Sequence, residues 1–202
     1  MASSRTGRDT NDPHPDAPSG KAEKYARRER ERRFLLRAVP NGRDVRRVLI
    51  EDDYLTGTRL RLRRITGLGP GDKPGDRIYK LTQKIPAPDG SPGLITTFYL
   101  SAAEYEALAD LPAETLQKVR TSIPPYGVDD FRGPLAGLIL AEVEFDSDEE
   151  SAAFRPAIET VAEVTADERF TGGRLVEADA DAIRALLAEF GIRGATTTNP
   201  RR

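Results

Sequence analysis

The chain has 202 residues, and its 31 Lys+Arg nearly balance its 33 Asp+Glu, so overall charge does not argue for nucleic acid or an anionic membrane as partner. With no Cys and a single His, His14, it excludes disulfides, thiol catalysis, Cys-ligated or multi-His metal sites and a His-based triad, leaving carboxylates for any metal and so favouring magnesium or manganese. No stretch reaches the roughly 18–20 apolar residues of a membrane span and the N-terminus lacks an apolar signal core, so a soluble, cytoplasmic protein is expected.

Residues 1–23 are polar, Pro- and Gly-containing and nearly free of large apolar side chains, and they are expected to be a disordered leader. Its basic residues lack interleaved aromatics, so no stable nucleic-acid binding is expected. A single domain is expected over 24–194, followed by a flexible tail, 195–202. Within the domain the dominant period is two, the period of a strand. It predicts strands over residues 29–36, 46–50, 58–65, 77–85, 94–100 and 138–145, with a weaker one over 118–123 that Pro124 and Pro125 stop. Gly- and Pro-rich stretches at 67–75 and 86–93 read as turns or loops. Three short helices are expected. Ser101-Ala102-Ala103-Glu104 and Ser147-Asp148-Glu149-Glu150 carry capping-box signatures, and 179–190 places Ile183, Leu186, Leu187 and Phe190 at helical spacing before Gly191. Glu104, Glu149 and Glu150 are thereby explained as helix starts. Many strands and few helices predict an α+β domain built on an antiparallel sheet.

Residues two apart in a strand share a face. Glu29, Glu31 and Arg33 therefore align, as do Arg59, Arg61 and Arg63, then Lys80, Thr82 and Lys84, and finally Glu142 and Glu144. Each strand alone reads as half-exposed sheet, with its charges in water. As a set, basic and acidic faces segregate by strand, which suits a sheet closed into a barrel with the charges inward. Such an interior is costly unless the charges are paired or a charged ligand fills it. Arg and Lys on several walls suit phosphate oxygens, and paired carboxylates suit a divalent cation riding on them. Arg32, Arg46, Arg47 and Arg64 fall off these faces and are expected on the surface; Tyr54 and Leu55 are expected in the core.

In order, the chain carries Glu29-Arg30-Glu31-Arg32-Arg33, then Tyr54-Leu55 ahead of the basic strand, then Tyr79-Lys80-Leu81-Thr82-Gln83-Lys84, then Arg120. A long block, Val128-Asp129-Asp130-Phe131 through Leu138-Ile139-Leu140-Ala141-Glu142-Val143-Glu144, and then Glu163-Val164-Thr165 complete the series. This series resembles the CYTH superfamily, the triphosphate tunnel metalloenzymes, whose opening signature is E-x-E-x-K. The resemblance implies an antiparallel eight-stranded closed β-barrel, a tunnel that binds a triphosphate group with Mg2+ or Mn2+. By position it implies metal-side carboxylates at Glu29, Glu31, Glu142 and Glu144. It implies phosphate-holding cations at Arg59, Arg61, Arg63, Lys80, Lys84 and Arg120, and an acidic residue, Asp129, that assists the metal or the attacking water. Family members often pair, which makes a homodimer possible. The chain departs from the pattern at Arg33, where the family has Lys. Arg keeps the charge but is larger and cannot give up its proton. If the Lys positions the reacting phosphate, turnover would fall while binding survives.

The leading functional expectation is metal-dependent hydrolysis of a triphosphate group in a charged tunnel, most simply inorganic triphosphate. Phosphoryl transfer needs mainly positioning and charge neutralisation, with no His or Cys catalyst. The alternatives are a class IV-like adenylate cyclase, a thiamine or nucleoside triphosphatase, or a non-catalytic polyphosphate- or nucleotide-binding module, the last because of Arg33.

Overall fold

The computed structural model describes residues 25–42, 45–87 and 93–192; the expected leader (1–23) and tail (195–202) lie outside the described residues. Among the described residues ten strands are formed: β1 (Arg27–Arg28), β2 (Glu31–Leu35), β3 (Arg47–Leu55), β4 (Leu60–Leu68), β5 (Pro74–Ile85), β6 (Leu94–Leu100), β7 (Ala113–Ile123), β8 (Tyr126–Phe131), β9 (Ile139–Glu144) and β10 (Ala162–Glu163). They make one antiparallel sheet in the order β1-β6-β5-β4-β3-β7-β8-β9-β2-β10. Four helices, α1 (Ala102–Ala109), α2 (Asp148–Ala153), α3 (Gly172–Leu175) and α4 (Ala180–Glu189), complete the α+β architecture. Among the described residues, no helix is long and apolar enough to cross a membrane.

The expected ring of eight strands is not what the ladder forms. It has two ends, β1 and β10. The reason lies at Glu29-Arg30, the first two residues of the first predicted strand, which no strand includes. Just before them β1 pairs with β6, Arg27 opposite Ile95, and just after them β2 pairs with β9, Glu31 opposite Glu144. The break keeps single hydrogen bonds on both sides. The Glu29 N–H donates to the Gly93 carbonyl (2.9 Å), and the Phe145 N–H donates to the Arg30 carbonyl (2.8 Å).

Three other expectations need correction. β3 runs on past Ile50 through Glu51-Asp52-Asp53, because Glu51 and Asp52 are neutralised across the strand pair by Arg64 (2.6 Å) and Arg63 (2.5 Å). Residues 67–75 form a turn only in their middle, around the 3-10 turn Pro70–Asp72; their first two and last two residues belong to β4 and β5. β7 is eleven residues long, and after the Pro124-Pro125 turn the chain returns as β8, which the charge of Asp129-Asp130 conceals in the sequence.

The helices start as their caps predict. Ser101 accepts from the Glu104 N–H, and the Glu104 carboxylate accepts from the Ser101 N–H (2.7 Å). Asp179 caps α4, and Gly191, at φ 68°, ends it in the left-handed region where a side chain is disfavoured. One face of the sheet packs Leu55 and Leu62 against Tyr105 of α1, and Phe34, Leu36, Val128 and Val143 near Phe154. On the other face, Leu35, Leu116, Phe131 and Leu140 pack against Phe170, Leu175 and α4 residues Ile183 and Leu187. That second face carries the charged rows.

Candidate functional site

Residues directly opposite in an antiparallel pair share a face, so register builds rows of side chains. Asp52, Arg63 and Lys80 form one row across β3, β4 and β5; Tyr54, Arg61 and Thr82 form the next. From the other side come Glu31 opposite Glu144 and Arg33 opposite Glu142. These rows line a single cavity of about 660 Å³. Of the predicted residues, Glu29, Glu31, Arg33, Arg61, Arg63, Lys80, Lys84, Arg120, Glu142 and Glu144 all line it. Ten cationic side chains and seven carboxylates face the hollow, an excess of positive charge that suits a polyanion.

Two predicted residues do not line it. Arg59 precedes the first residue of β4, so the alternation that places Arg61 and Arg63 does not extend to it. Asp129 lies wholly beneath the wall. Its carboxylate is fully buried and takes Arg120 Nε and Nη2 (2.6 Å each) and Lys118 Nζ (2.5 Å). It can orient those cations but cannot meet a ligand or water in the cavity. Arg32, expected in solvent, is instead tied down at the cavity margin. It pairs with Glu163 (2.6 Å) and donates to the carbonyls of Ser151 (2.8 Å) and Phe154 (2.9 Å). Arg64 pairs with Glu51, and Arg47 with Asp72, on the far side.

Sequence reasoning missed Asp52 and Lys118, which line the cavity; Tyr54, expected in the core, packs against it and lines the cavity as well. The signal was parity. Asp52 and Tyr54 continue the alternation of Val48 and Ile50, and Lys118 stands two residues before Arg120.

The charges are strongly coupled. Burial pushes the Asp52 carboxyl up, but Arg63 and Arg61 outweigh it and hold the group down at about 2. Glu142 is likewise held far below the usual carboxylate range, since Lys118, Arg120 and Lys84 outweigh its burial, and it contacts Arg120 directly. Glu31 goes the other way: burial raises its carboxyl, and the nearby Glu142 charge raises it further. Glu29 pairs with Lys84 (2.7 Å) and Glu144 with Arg27 (3.0 Å).

Arg33 is held differently from the other cations. Its two terminal nitrogens donate to the carbonyls of Phe170 (3.0 Å) and Thr165 (2.9 Å), while its Nε is buried with no hydrogen-bond partner. Arg61 Nε is also buried without a hydrogen bond, although Asp52 Oδ1 lies 3.5 Å away. A buried donor without an acceptor costs about 1–3 kcal/mol, a cost that an arriving oxygen anion would remove.

Among the described residues no group of three or more acidic side chains is gathered so as to hold a metal ion. The donor chemistry nonetheless fits a hard cation of one kind. Magnesium commonly takes one or two carboxylates and completes its shell with water and phosphate oxygens. Glu31 and Glu142, mutually repelling on one face, would gain from a cation between them.

No protein-family model and no curated protein matches the chain. Solved structures do. A crystal structure of the inorganic triphosphatase NE1496 is 26% identical, covering 74% of this chain and 95% of that one, with a TM-score of 0.49. A second crystal structure of NE1496, described as a hypothetical protein, gives 27% identity over 75% and 99% of the two chains, with a TM-score of 0.50. The chain resembles the triphosphate tunnel (CYTH) family in structure. Its fold is similar to that of NE1496. The PH1819 protein of Pyrococcus horikoshii OT3 also matches, at 16% identity over 82% of this chain and 91% of that one, with a TM-score of 0.39.

Proposed function

We propose that the protein hydrolyses a triphosphate group, most simply inorganic triphosphate, inside this cavity, and that the reaction depends on magnesium or manganese. The observation that carries the reading is the convergence of Arg33, Arg61, Arg63, Lys80, Lys84, Lys118 and Arg120 on one hollow that also presents Glu31 and Glu142. Seven cations from four strands surround a chain of phosphates better than a flat surface could. Held in a low-dielectric enclosure, they favour charge as it spreads over the phosphoryl oxygens.

The hollow reads as a tunnel whose seam is the segment 27–35. That one stretch hydrogen-bonds to β6 with its first residues and to β9 with its last, which supports a wall continuous around the cavity. In this reading Arg61, Arg63, Lys80 and Lys84 grip the chain from one side, and Lys118 and Arg120 from the other. Asp129 holds Lys118 and Arg120 in place from beneath. Asp52 does the same for Arg63 and Arg61, so that long flexible side chains arrive pre-oriented. Glu31 and Glu142 would hold the metal, with Glu144 beyond Glu142 on β9 and Glu29 two residues before Glu31. The bound ion would neutralise phosphate charge and lower the pKa of a water. Replacing Glu142 and Glu144 together should abolish metal-dependent phosphate release, and full activity in that variant would end the assignment.

The engagement of Arg33 with two backbone carbonyls favours a second reading, a module that binds phosphate chains without cleaving them. Hydrolysis by Arg33→Lys where the wild type shows none would favour it.

A further inference from the structure

β6 pairs with β5 along its whole length, from Leu94 opposite Ile85 to Leu100 opposite Tyr79. On its other side, among the described residues, β1 covers only Leu94 and Ile95, and the chain ahead of β1 turns at Tyr25. Beyond that point Thr97, Phe98 and Tyr99 are exposed, Phe98 by 58% and Tyr99 by 73%. The Gly93 carbonyl faces β1, where it accepts from the Glu29 N–H (2.9 Å). Backbone groups alternate sides along a strand, so the N–H and C=O of Thr97 and Tyr99 face that same side, away from β5.

A strand edge is ordinarily guarded by charge, by proline or by brevity. The other end of the ladder follows that rule: β10 is two residues long and ends on Glu163, which Arg32 holds (2.6 Å). β6 does not. Its sequence, Leu94-Ile95-Thr96-Thr97-Phe98-Tyr99-Leu100, has no charge and no proline, and its centre is β-branched and aromatic. The nearest cation in register is Lys80, opposite Tyr99, and its ammonium lies 4.8 Å from the centre of that ring. Lys80 lines the cavity, so this cation is drawn to the inner face, while Phe98 stands on the outer face opposite Leu81.

We infer that the Thr97–Tyr99 edge is the surface through which two copies of this chain pair, antiparallel and two-fold symmetric about Phe98. The charge pattern selects the occupant: a second β6 brings no charged side chain to an uncharged edge, and its own open backbone groups meet those of the first. Register selects the axis. Centred on Phe98, Thr97 of each copy meets Tyr99 of the other, and each such pair exchanges both N–H···O bonds. An axis at Thr97 would require Ile95, which β1 already occupies, and one at Tyr99 would require Ser101, the N-cap of α1. Phe98 then faces Phe98 of the second copy at a non-hydrogen-bonded position, where side chains come closest and an aromatic pair adds to the contact. β6 also gives Ile95 and Thr97 to the cavity lining, so this pairing joins the walls of two cavities in one sheet. It does not depend on what the cavity binds.

The chain has no Cys, so Phe98→Cys introduces its only thiol. Under mild oxidation the full-length variant is expected to cross-link into a dimer, because opposed Cα atoms about 4.5 Å apart suit a disulfide. Leu111→Cys, at a residue 46% exposed between α1 and β7, is the control and is expected to stay uncross-linked. Sedimentation equilibrium of the native chain from about 1 μM to about 1 mM is expected to show a monomer–dimer equilibrium, with Phe98→Lys raising its midpoint about tenfold or more. An equimolar mixture of Phe98→Lys and Phe98→Glu is expected to restore the native midpoint, since this register sets position 98 opposite itself. A native chain that is monomeric throughout would overturn the inference. So would a dimer whose midpoint Phe98→Lys leaves unchanged, or a Phe98→Cys cross-link no faster than the control, because the interface would then lie elsewhere. Hydrogen-exchange protection of the Thr97 and Tyr99 amides that persists on dilution would show the chain's own terminal residues on this edge, and would overturn it too.

Discussion

Asp129 meets Arg120 through both carboxylate oxygens, at 2.6 Å each, from the directly opposing position on β8. The pair joins a residue that lines the cavity to one that is fully buried. Removing the acid while leaving the cations strands buried charge, which typically costs about 3–5 kcal/mol. Asp129→Ala should therefore lose stability on that scale in urea unfolding, and also lose phosphate affinity as Arg120 and Lys118 are released. A loss of activity with unchanged stability would instead mark Asp129 as a direct participant in the reaction.

Asp52 gives a pH signature. Its folded carboxyl is held at about 2 against an ordinary 3.8. A depressed carboxyl stabilises the fold above its unfolded pKa, and that contribution is lost as pH falls through the folded value. It amounts to about 2 kcal/mol at neutral pH, from roughly 1.4 kcal/mol per unit. The stability difference between wild type and Asp52→Asn should be full above about pH 5 and shrink steadily from pH 4 to pH 2. A difference that is flat across that window would contradict the Arg61–Asp52–Arg63 arrangement.

Much of this site was legible in the amino-acid order. The alternation at Glu29-Glu31-Arg33, at Arg61-Arg63, at Lys80-Lys84 and at Glu142-Glu144 placed nine side chains on one face, and all nine line the cavity, as does Arg120. What escaped was whatever needed knowledge of strand ends and depth. Arg59 has the right parity but precedes β4, and parity has meaning only within a strand. Asp129 shares a face with Phe131, yet it lies under Arg120 and Lys118, a depth that local sequence does not encode. Asp52 and β8 were hidden because acidic residues disfavour strands until a partner strand supplies the neutralising Arg. The break at Glu29-Arg30, which gives the ladder two ends, carries no Gly or Pro to announce it.

Arg59 and Arg61 make a matched pair of controls. Arg59→Ala should leave phosphate release within about twofold of wild type, in line with surface substitutions away from a site. Arg61→Ala should lower kcat/KM by about 10- to 100-fold, the worth of one hydrogen bond to a charged group. Steady-state kinetics on both variants checks this, and equal losses would contradict the geometry.

Glu31 and Glu142 face each other as like charges, and burial of Glu31 sharpens the conflict. Glu31→Gln should therefore stabilise the metal-free protein slightly, by about 0.2–1 kcal/mol in thermal denaturation with EDTA. The same change should lower metal-dependent phosphate release by about 100-fold or more if the carboxylate holds the ion. A variant that loses stability in EDTA would show that Glu31 acts as a partner to Arg33 (3.8 Å) more than as a charge held in reserve.

The most direct measurement is phosphate release by the wild-type protein from inorganic triphosphate, longer polyphosphate, ATP and thiamine triphosphate, each with magnesium, with manganese and with EDTA. The account predicts metal-dependent release that is fastest from inorganic triphosphate and absent in EDTA. Release no faster than the uncatalysed control from every substrate, with both metals, would contradict it.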